Sequence, residues 1–339
     1  MGTPTQQLHV VFGTGPGGLT LIEQLLARGH RVRAVNRSGS APVPAQVELV
    51  AADITDPQAM RSVSAGAAVL YNCAHAPYHL WDELLPRLQD GFLAGAAGSG
   101  ARLVVTDTLY MYGPTGGVPM TESAPYNATS HKGKLRARIA DRYLQAHNAG
   151  TVQVAIARAA DVFGPRVLNS ALGGAAFLPA LQGQPVIALG DIDQPHAYSY
   201  IGDVAATLAT LGEHDEAFGR TWHVPTISDH TTRQMHRLIE QELGHPITGE
   251  VLPAVTEDAW GPFDDVFMRE YAELFYQYLE PQIVNCQAIG DTFGLHPTPV
   301  REALRATIAW YRQLHSWQPR PARARIITPM MIRATAQRD

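Results

Sequence analysis

Three observations predict an α/β protein: a doubly wound parallel sheet with a smaller, discontinuous C-terminal substrate-binding lobe. Short apolar runs alternate with helix-spaced stretches through the first half of the chain. A glycine cluster joins the first such pair. Beyond Pro165 the texture breaks into short pieces at Gly173, Gly174, Pro179, Gly183, Pro185, Gly190 and Pro195. Continuous apolar β-runs between helices mark strands covered on both faces, which is how parallel sheets are built.

Leu8–Phe12 reads as the first strand, and Leu19, Ile22, Leu25 and Leu26 recur at helical spacing up to Gly29. Further strands are expected at residues 32–35, 47–51, 69–71 and 103–106, then a helix near 133–146 and a strand at 152–156. The dinucleotide domain is placed at residues 1–166, with 196–224 returning to it. The lobe takes 167–195 and 225–318, including an aromatic helix at 263–278 and a last helix at 300–310. Residues 319–339, Arg-rich, read as a tail.

The 339 residues carry 26 Lys and Arg against 31 Asp and Glu, a net charge of −5, and 45% are hydrophobic. With a mean hydropathy of −0.09, such a chain is too apolar for disorder and too polar to be embedded in a membrane. Its charge gives no general pull toward nucleic acid or anionic lipid. There is no membrane-length apolar run and no signal-peptide build at the N-terminus, and the two cysteines make no disulfide framework, so a cytoplasmic protein is expected. No H-E-x-x-H or C-x-x-C spacing occurs, and no metal is expected.

Gly13, Thr14, Gly15, Pro16, Gly17 and Gly18 supply the G-x-G-x-x-G spacing at the first strand-to-helix turn. The first glycine permits the turn, the second lets backbone approach a pyrophosphate, and the third lets helix and strand pack closely, as in Rossmann dinucleotide sites. After the second strand the chain reads Asn36-Arg37-Ser38 where an NAD enzyme would offer an acid to the ribose. A guanidinium there suits a 2′-phosphate, so the expected cofactor is NADPH.

Further segments follow in order: Asp53-Ile54, Asn72-Cys73-Ala74, T-D-T-L-Y-M-Y-G at 106–113, Arg158-Ala159-Ala160-Asp161-Val162-Phe163-Gly164-Pro165, and Tyr200-Ile201-Gly202-Asp203-Val204-Ala205. Together they resemble the extended short-chain dehydrogenases/reductases, the group that includes nucleotide-sugar epimerases and dehydratases. The resemblance implies that Asp53 and Ile54 meet adenine, and that Asn72, Cys73 and Ala74 lie along the cofactor. It also implies that Ala160, Asp161 and Val162 border nicotinamide and that Thr108 is the catalytic Ser/Thr. The family's Tyr-x-x-x-Lys is matched to Ser130 and Lys134, with Lys134 holding the nicotinamide ribose and serine standing where the acid should be. A serine hydroxyl is shorter and a far weaker acid than a phenol. The proton is then left to Tyr126, Tyr110 or Tyr112, to a water held by Ser130 and Thr108, or to an acidic hydroxyl on the substrate; otherwise the site is inert.

Nucleotide-sugar members commonly carry Arg ahead of the later Tyr-containing element, whereas this chain has His196 there. The rings of Trp260, Phe263, Phe267, Tyr271, Phe275, Tyr276 and Tyr278 crowd the lobe, and His75, Tyr78 and Trp81 follow the cofactor loop. The expectation is an NADPH-dependent ketoreductase reducing a bulky aromatic, polyketide-like ketone, similar to the atypical angucyclinone ketoreductases. The alternatives are a nucleotide-sugar epimerase or dehydratase and a non-catalytic NADP(H)-binding redox sensor. A homodimer through helices near 84–97 and 134–146 is a further implication of the resemblance.

Overall fold

The computed structural model describes residues 6–255 and 264–317, with side chains to 314. In chain order the elements are β1 (Leu8–Phe12), α1 (Pro16–Ala27), β2 (Arg31–Asn36), β3 (Glu48–Ala51), α2 (Pro57–Val63), β4 (Val69–Asn72), α3 (Trp81–Ser99), β5 (Arg102–Asp107), α4 (His131–Asn148) and β6 (Val154–Arg158). Then come β7 (Asp161–Phe163), α5 (Gly174–Leu181), β8 (Val186–Leu189), β9 (Tyr198–Tyr200), α6 (Ile201–Glu213), β10 (Thr221–His223), α7 (Thr232–Leu243), β11 (Gly249–Leu252), α8 (Asp265–Tyr271), α9 (Gln287–Phe293) and α10 (Val300–Trp317).

The strands form a seven-stranded sheet in the order β10-β6-β5-β4-β1-β2-β3. All its pairings are parallel, with Phe12 level with Val35 on one side and with Asn72 on the other. The order reverses between β1 and β4, and the crevice at such a switch point is where ligands bind in open parallel sheets. Both faces are buried because alternate residues point opposite ways. Val10, Phe12, Leu70, Leu103 and Val105 pack on Leu85, Phe92, Leu135 and Ile139 of α3 and α4. Val11, Val69, Val104 and Ala155 pack on Leu21, Ile22 and Leu25 of α1 and on Val204 and Leu208 of α6. A third cluster joins Phe177, Met235, Ile239, Leu304, Ile308 and Tyr311 beneath Phe163 and Tyr198. Two small parallel pairs, β7 with β9 and β8 with β11, complete the framework.

The strand expected at 152–156 begins two residues later. The N–H groups of Thr151 and Val152 still bond the Ala146 carbonyl at 3.1 and 3.4 Å, so those residues close the end of α4 before the chain can extend. The aromatic stretch is α8 followed by 3₁₀ turns over Ala272–Tyr278, rather than one helix. Among the described residues, no helix is long and apolar enough to cross a membrane.

Candidate active site

The turn after β1 is shaped by contacts that exclude side chains. Gly13 has φ +95°, and a Cβ there would lie 2.6 Å from the Cys73 carbonyl oxygen; a Cβ on Gly18 would lie 1.8 Å from the Gly13 oxygen. Around Gly15, by contrast, a Cβ would meet nothing within 4 Å. Helix α1 starts from Gly15 with no side-chain cap and no acid in its first turn. Its leading N–H groups and positive dipole end therefore face the open space over Gly15, a setting that fits a pyrophosphate.

Neighbouring loops are pinned to this turn. Asn36 donates to Thr14 Oγ1 at 2.7 Å and to the Ser40 carbonyl at 3.0 Å, and accepts from Gly39 N–H and the Ser38 hydroxyl. Arg37 projects from this loop, exposed. Asp53 accepts from the backbone and hydroxyl of Thr55, which holds its carboxyl below the usual range, with smaller help from the charges of Arg87 and Arg37. The Ile54 carbonyl lies against Gly91, where a Cβ would come within 2.0 Å. Asn72 Oδ1 accepts from Ala74 N–H at 3.2 Å. Burial pushes the Cys73 thiol up to about 12, so this sulfur stays protonated and is no nucleophile. On the far side Ala160 N–H donates to Ser199 Oγ at 3.0 Å, and Val162 pairs with Ser199 in the β7–β9 ladder.

Helix α4 departs from the sequence expectation. Ser130 is its N-cap, its Oγ accepting from Gly133 N–H at 3.1 Å, so this hydroxyl is engaged in starting the helix. Lys134 is exposed. With about 100° per residue, Lys134 lies roughly 200° around the helix from Lys132, whereas Arg136 lies nearly above it. The inward pair at the Tyr-x-x-x-Lys spacing is therefore Lys132 and Arg136, both buried. Residue type alone points to the exposed Lys134. The signal that finds the inward pair is the helical phase of Leu135 and Ile139, which face the core with them.

Each member of the pair has a defined setting. Lys132 Nζ reaches Glu270 at 2.6 Å and Glu273 at 2.8 Å, tying α4 to α8 and to the 3₁₀ turns that follow it. Burial opposes its charge, but the two carboxylates outweigh burial and raise its pKa. Arg136 stacks 4.3 Å over the Trp81 ring and approaches Asp107 at 3.5 Å. Asp107 is also reached by Arg158 at 3.4 Å, and Arg158 donates to the Tyr112 hydroxyl at 2.7 Å and to the Tyr126 hydroxyl. Burial works against the Arg158 charge, yet Asp107 and the two phenols hold its pKa above the ordinary value. Tyr126 is thereby committed to Arg158.

Above this floor stand the rings. Tyr78 and Tyr110 share a hydrogen bond between hydroxyls at 2.8 Å, and Trp81 lies 4.7 Å from Tyr78 and 6.0 Å from Tyr110. Phe267 and Tyr271 come within 6.0 and 5.8 Å of Tyr78. Burial raises the pKa of Tyr78 to about 12 and holds that of Tyr110 well above the ordinary phenol value, which keeps both phenols protonated. Tyr278 donates to Asp161 at 2.7 Å, and His196, buried and stacked on Tyr278, meets the same Asp161 oxygen at 2.9 Å. His75 sits exposed at the rim, edge-on to Tyr78. Trp260 and Phe263 lie outside the described residues. Thr108 follows β5 directly, and its hydroxyl oxygen is shielded from solvent without a hydrogen-bond partner. Among the described residues, no three His, Cys, Asp or Glu gather as metal ligands.

A parallel sheet with its switch point under a glycine turn is a Rossmann-like architecture. The sequence model of the NAD dependent epimerase/dehydratase family matches residues 10–224, and the chain belongs to that family. Solved structures share its fold. UDP-glucose 4-epimerase of Thermotoga maritima, solved with UDP-glucose, is 18% identical, with a TM-score of 0.71 over 91% of this chain and 100% of that one. UDP-glucuronic acid 4-epimerase of Bacillus cereus, in complex with NAD, is 16% identical, with a TM-score of 0.72 over 91% of this chain and 100% of that one. dTDP-glucose 4,6-dehydratase of Bacillus anthracis, also with NAD, is 15% identical, with a TM-score of 0.72 over 92% of this chain and 98% of that one. No curated protein matches the sequence.

Proposed function

We propose that this chain is an NADPH-dependent ketoreductase acting on a bulky aromatic ketone. The observation that carries the reading is the Thr108 hydroxyl, buried without a partner at the end of β5, the strand beside the β4 edge of the crevice. An unpaired buried hydroxyl is costly to a fold unless a ligand completes it. Bound nicotinamide supplies the hydride. Thr108 donates its hydroxyl proton into a hydrogen bond with the carbonyl oxygen and so orients the reacting carbon. Negative charge grows on that oxygen as the carbonyl is reduced, and the Thr108 hydrogen bond stabilises it. Ser130 is committed to its helix and the Tyr78–Tyr110 pair is weakly acidic, so the proton comes from water or from a substrate hydroxyl. Exposed Arg37 supports a 2′-phosphate, and the rings around Tyr78 support a flat apolar substrate.

A nucleotide-sugar epimerase is the second reading, favoured by the activities of the solved relatives. Against it, His196 is buried and held by Asp161, and so offers a diphosphate no free cation. The test is turnover with NADPH deuterated at the transferable position, against polycyclic aromatic ketones and, separately, UDP- and dTDP-sugars. Deuterium in a product alcohol supports the ketoreductase. Sugar interconversion without net NADPH consumption replaces it with the epimerase. Tight NADPH binding without either reaction favours the sensor.

A further inference from the structure

The two buried cations of α4 are balanced differently. Lys132 meets two glutamates, whereas Arg136 shares one carboxylate, Asp107, with Arg158. Arg158 spends its remaining donors on Tyr112 and Tyr126. Arg136 does not: its side chain is 10% exposed, its one ion-pair contact is long at 3.5 Å, and its Nε is buried with no partner. The floor of the cleft therefore holds one positive charge beyond what Asp107 balances. The guanidinium carbon lies 4.3 Å from the centre of the Trp81 ring, a cation–π contact that restrains the group. The small cavity that Arg136 lines with Asp107 is bordered by Asn72, Ala74 and Thr106 and by apolar side chains of the helices and sheet, among them Leu85 and Ile139. A buried guanidinium short of hydrogen bonds is expensive to maintain, and its fork matches a carboxylate.

We propose that Arg136 is an anion-recognition site, and that the substrate carries a carboxylate which pairs with its Nε and Nη groups. This goes beyond the ketoreductase reading and is independent of hydride transfer, because an anion binds there whether or not a carbonyl is reduced.

The test uses the full chain with ¹⁵N-labelled arginine, following the Nε–H resonance of Arg136, assigned by its loss in Arg136→Lys. Acetate and benzoate are titrated at constant ionic strength, with acetamide and benzamide as neutral counterparts. The expected result is movement of that resonance with the acids and not with the amides. Acid binding, read by calorimetry, is expected to weaken about tenfold or more in Arg136→Met, in line with the loss of a charge-assisted hydrogen bond. The ligand-free melting temperature of Arg136→Met should equal or exceed that of the parent, because Asp107 keeps Arg158. The proposal is overturned if the resonance ignores both acids at millimolar concentration, or if Arg136→Met binds them as well as the parent. Should Arg136→Met not fold, Arg136→Lys decides: weaker binding with the preference for acid over amide kept supports the site, and loss of that preference overturns it.

Discussion

Helices α1 and α4 both begin at the edge of the sheet where the cofactor crevice lies, yet their first turns are put to opposite uses. The N-terminus of α1 has no side-chain cap and opens over Gly15. That of α4 is closed by its own side chains and by the lobe. Ser130 caps Gly133, and the Lys132 N–H donates to Glu273 at 3.2 Å. The same unsatisfied N–H groups exist in both helices. What differs is who satisfies them, and hence whether a ligand can. A free first turn leaves room for a ligand, whereas a satisfied one joins parts of the fold.

The sharpest way to break this comparison is at the glycine turn. Gly18→Ala drives a Cβ into the Gly13 oxygen and is expected to destabilise the fold by about 3 kcal/mol or more and to abolish cofactor binding. Gly15→Ala places its Cβ in open space, so thermal unfolding should stay within about 2 °C of the parent while NADPH affinity falls roughly tenfold or more. Equal effects of the two variants would remove the distinction between packing and ligand approach. At the end of β5, Thr108→Val is expected to lower kcat by roughly 10- to 100-fold with little change in melting temperature, since the hydroxyl has no partner in the protein to lose.

Acid should separate the two regions next. His9 on β1 is buried, and burial, aided by the neighbouring His30 ring, pushes its pKa to about 3. Below its ordinary value of 6.5 the unfolded chain takes up a proton that the folded chain refuses. His9 therefore contributes stability above pH 6.5 that is lost as pH falls toward 3, about 2 kcal/mol by pH 5. His236, pushed by burial to about 4, acts in the same direction. Lys132, with its raised pKa, contributes below 10.5 and loses its contribution only in alkali. Melting temperature should thus fall between pH 7 and pH 5, and His9→Phe should flatten that fall while Lys132→Met leaves it unchanged. The smallest effect belongs to the outer face of α4: Ser130→Ala costs about 1 kcal/mol of stability as a lost cap and leaves turnover within roughly threefold. Lys134→Met should change neither. Collapse of turnover in either variant would return these residues to the chemistry.

The parallel sheet and its glycine turn were legible because their geometry is written in residue types. Only glycine fits at 13 and 18, and Gly13, Asp53, Asn72 and Arg158 fall at or just after the ends of four strands of the parallel sheet. The cleft was less legible. Tyr78, Tyr110 and Phe267 were singled out as aromatic, but their mutual contacts join segments far apart in the chain. Tyr126 reads from sequence as a candidate proton donor and His196 as a replacement for an arginine; Arg158 and Asp161 hold them, and no local pattern announces such partners. Residue type points to Lys134, whereas helical phase turns Arg136 inward.

Sequence alone determined the doubly wound sheet, the glycine turn and the absence of a phenol at the usual place on α4. These follow from local sterics and from the two periodicities of buried strands and helices. Tertiary structure decided which side of α4 faces the cleft, that Lys132 is neutralised by the lobe, and that Arg136 and Arg158 divide one carboxylate. Charge balance in a buried space is a property of groups brought together from distant parts of the chain, and no spacing within one segment encodes it.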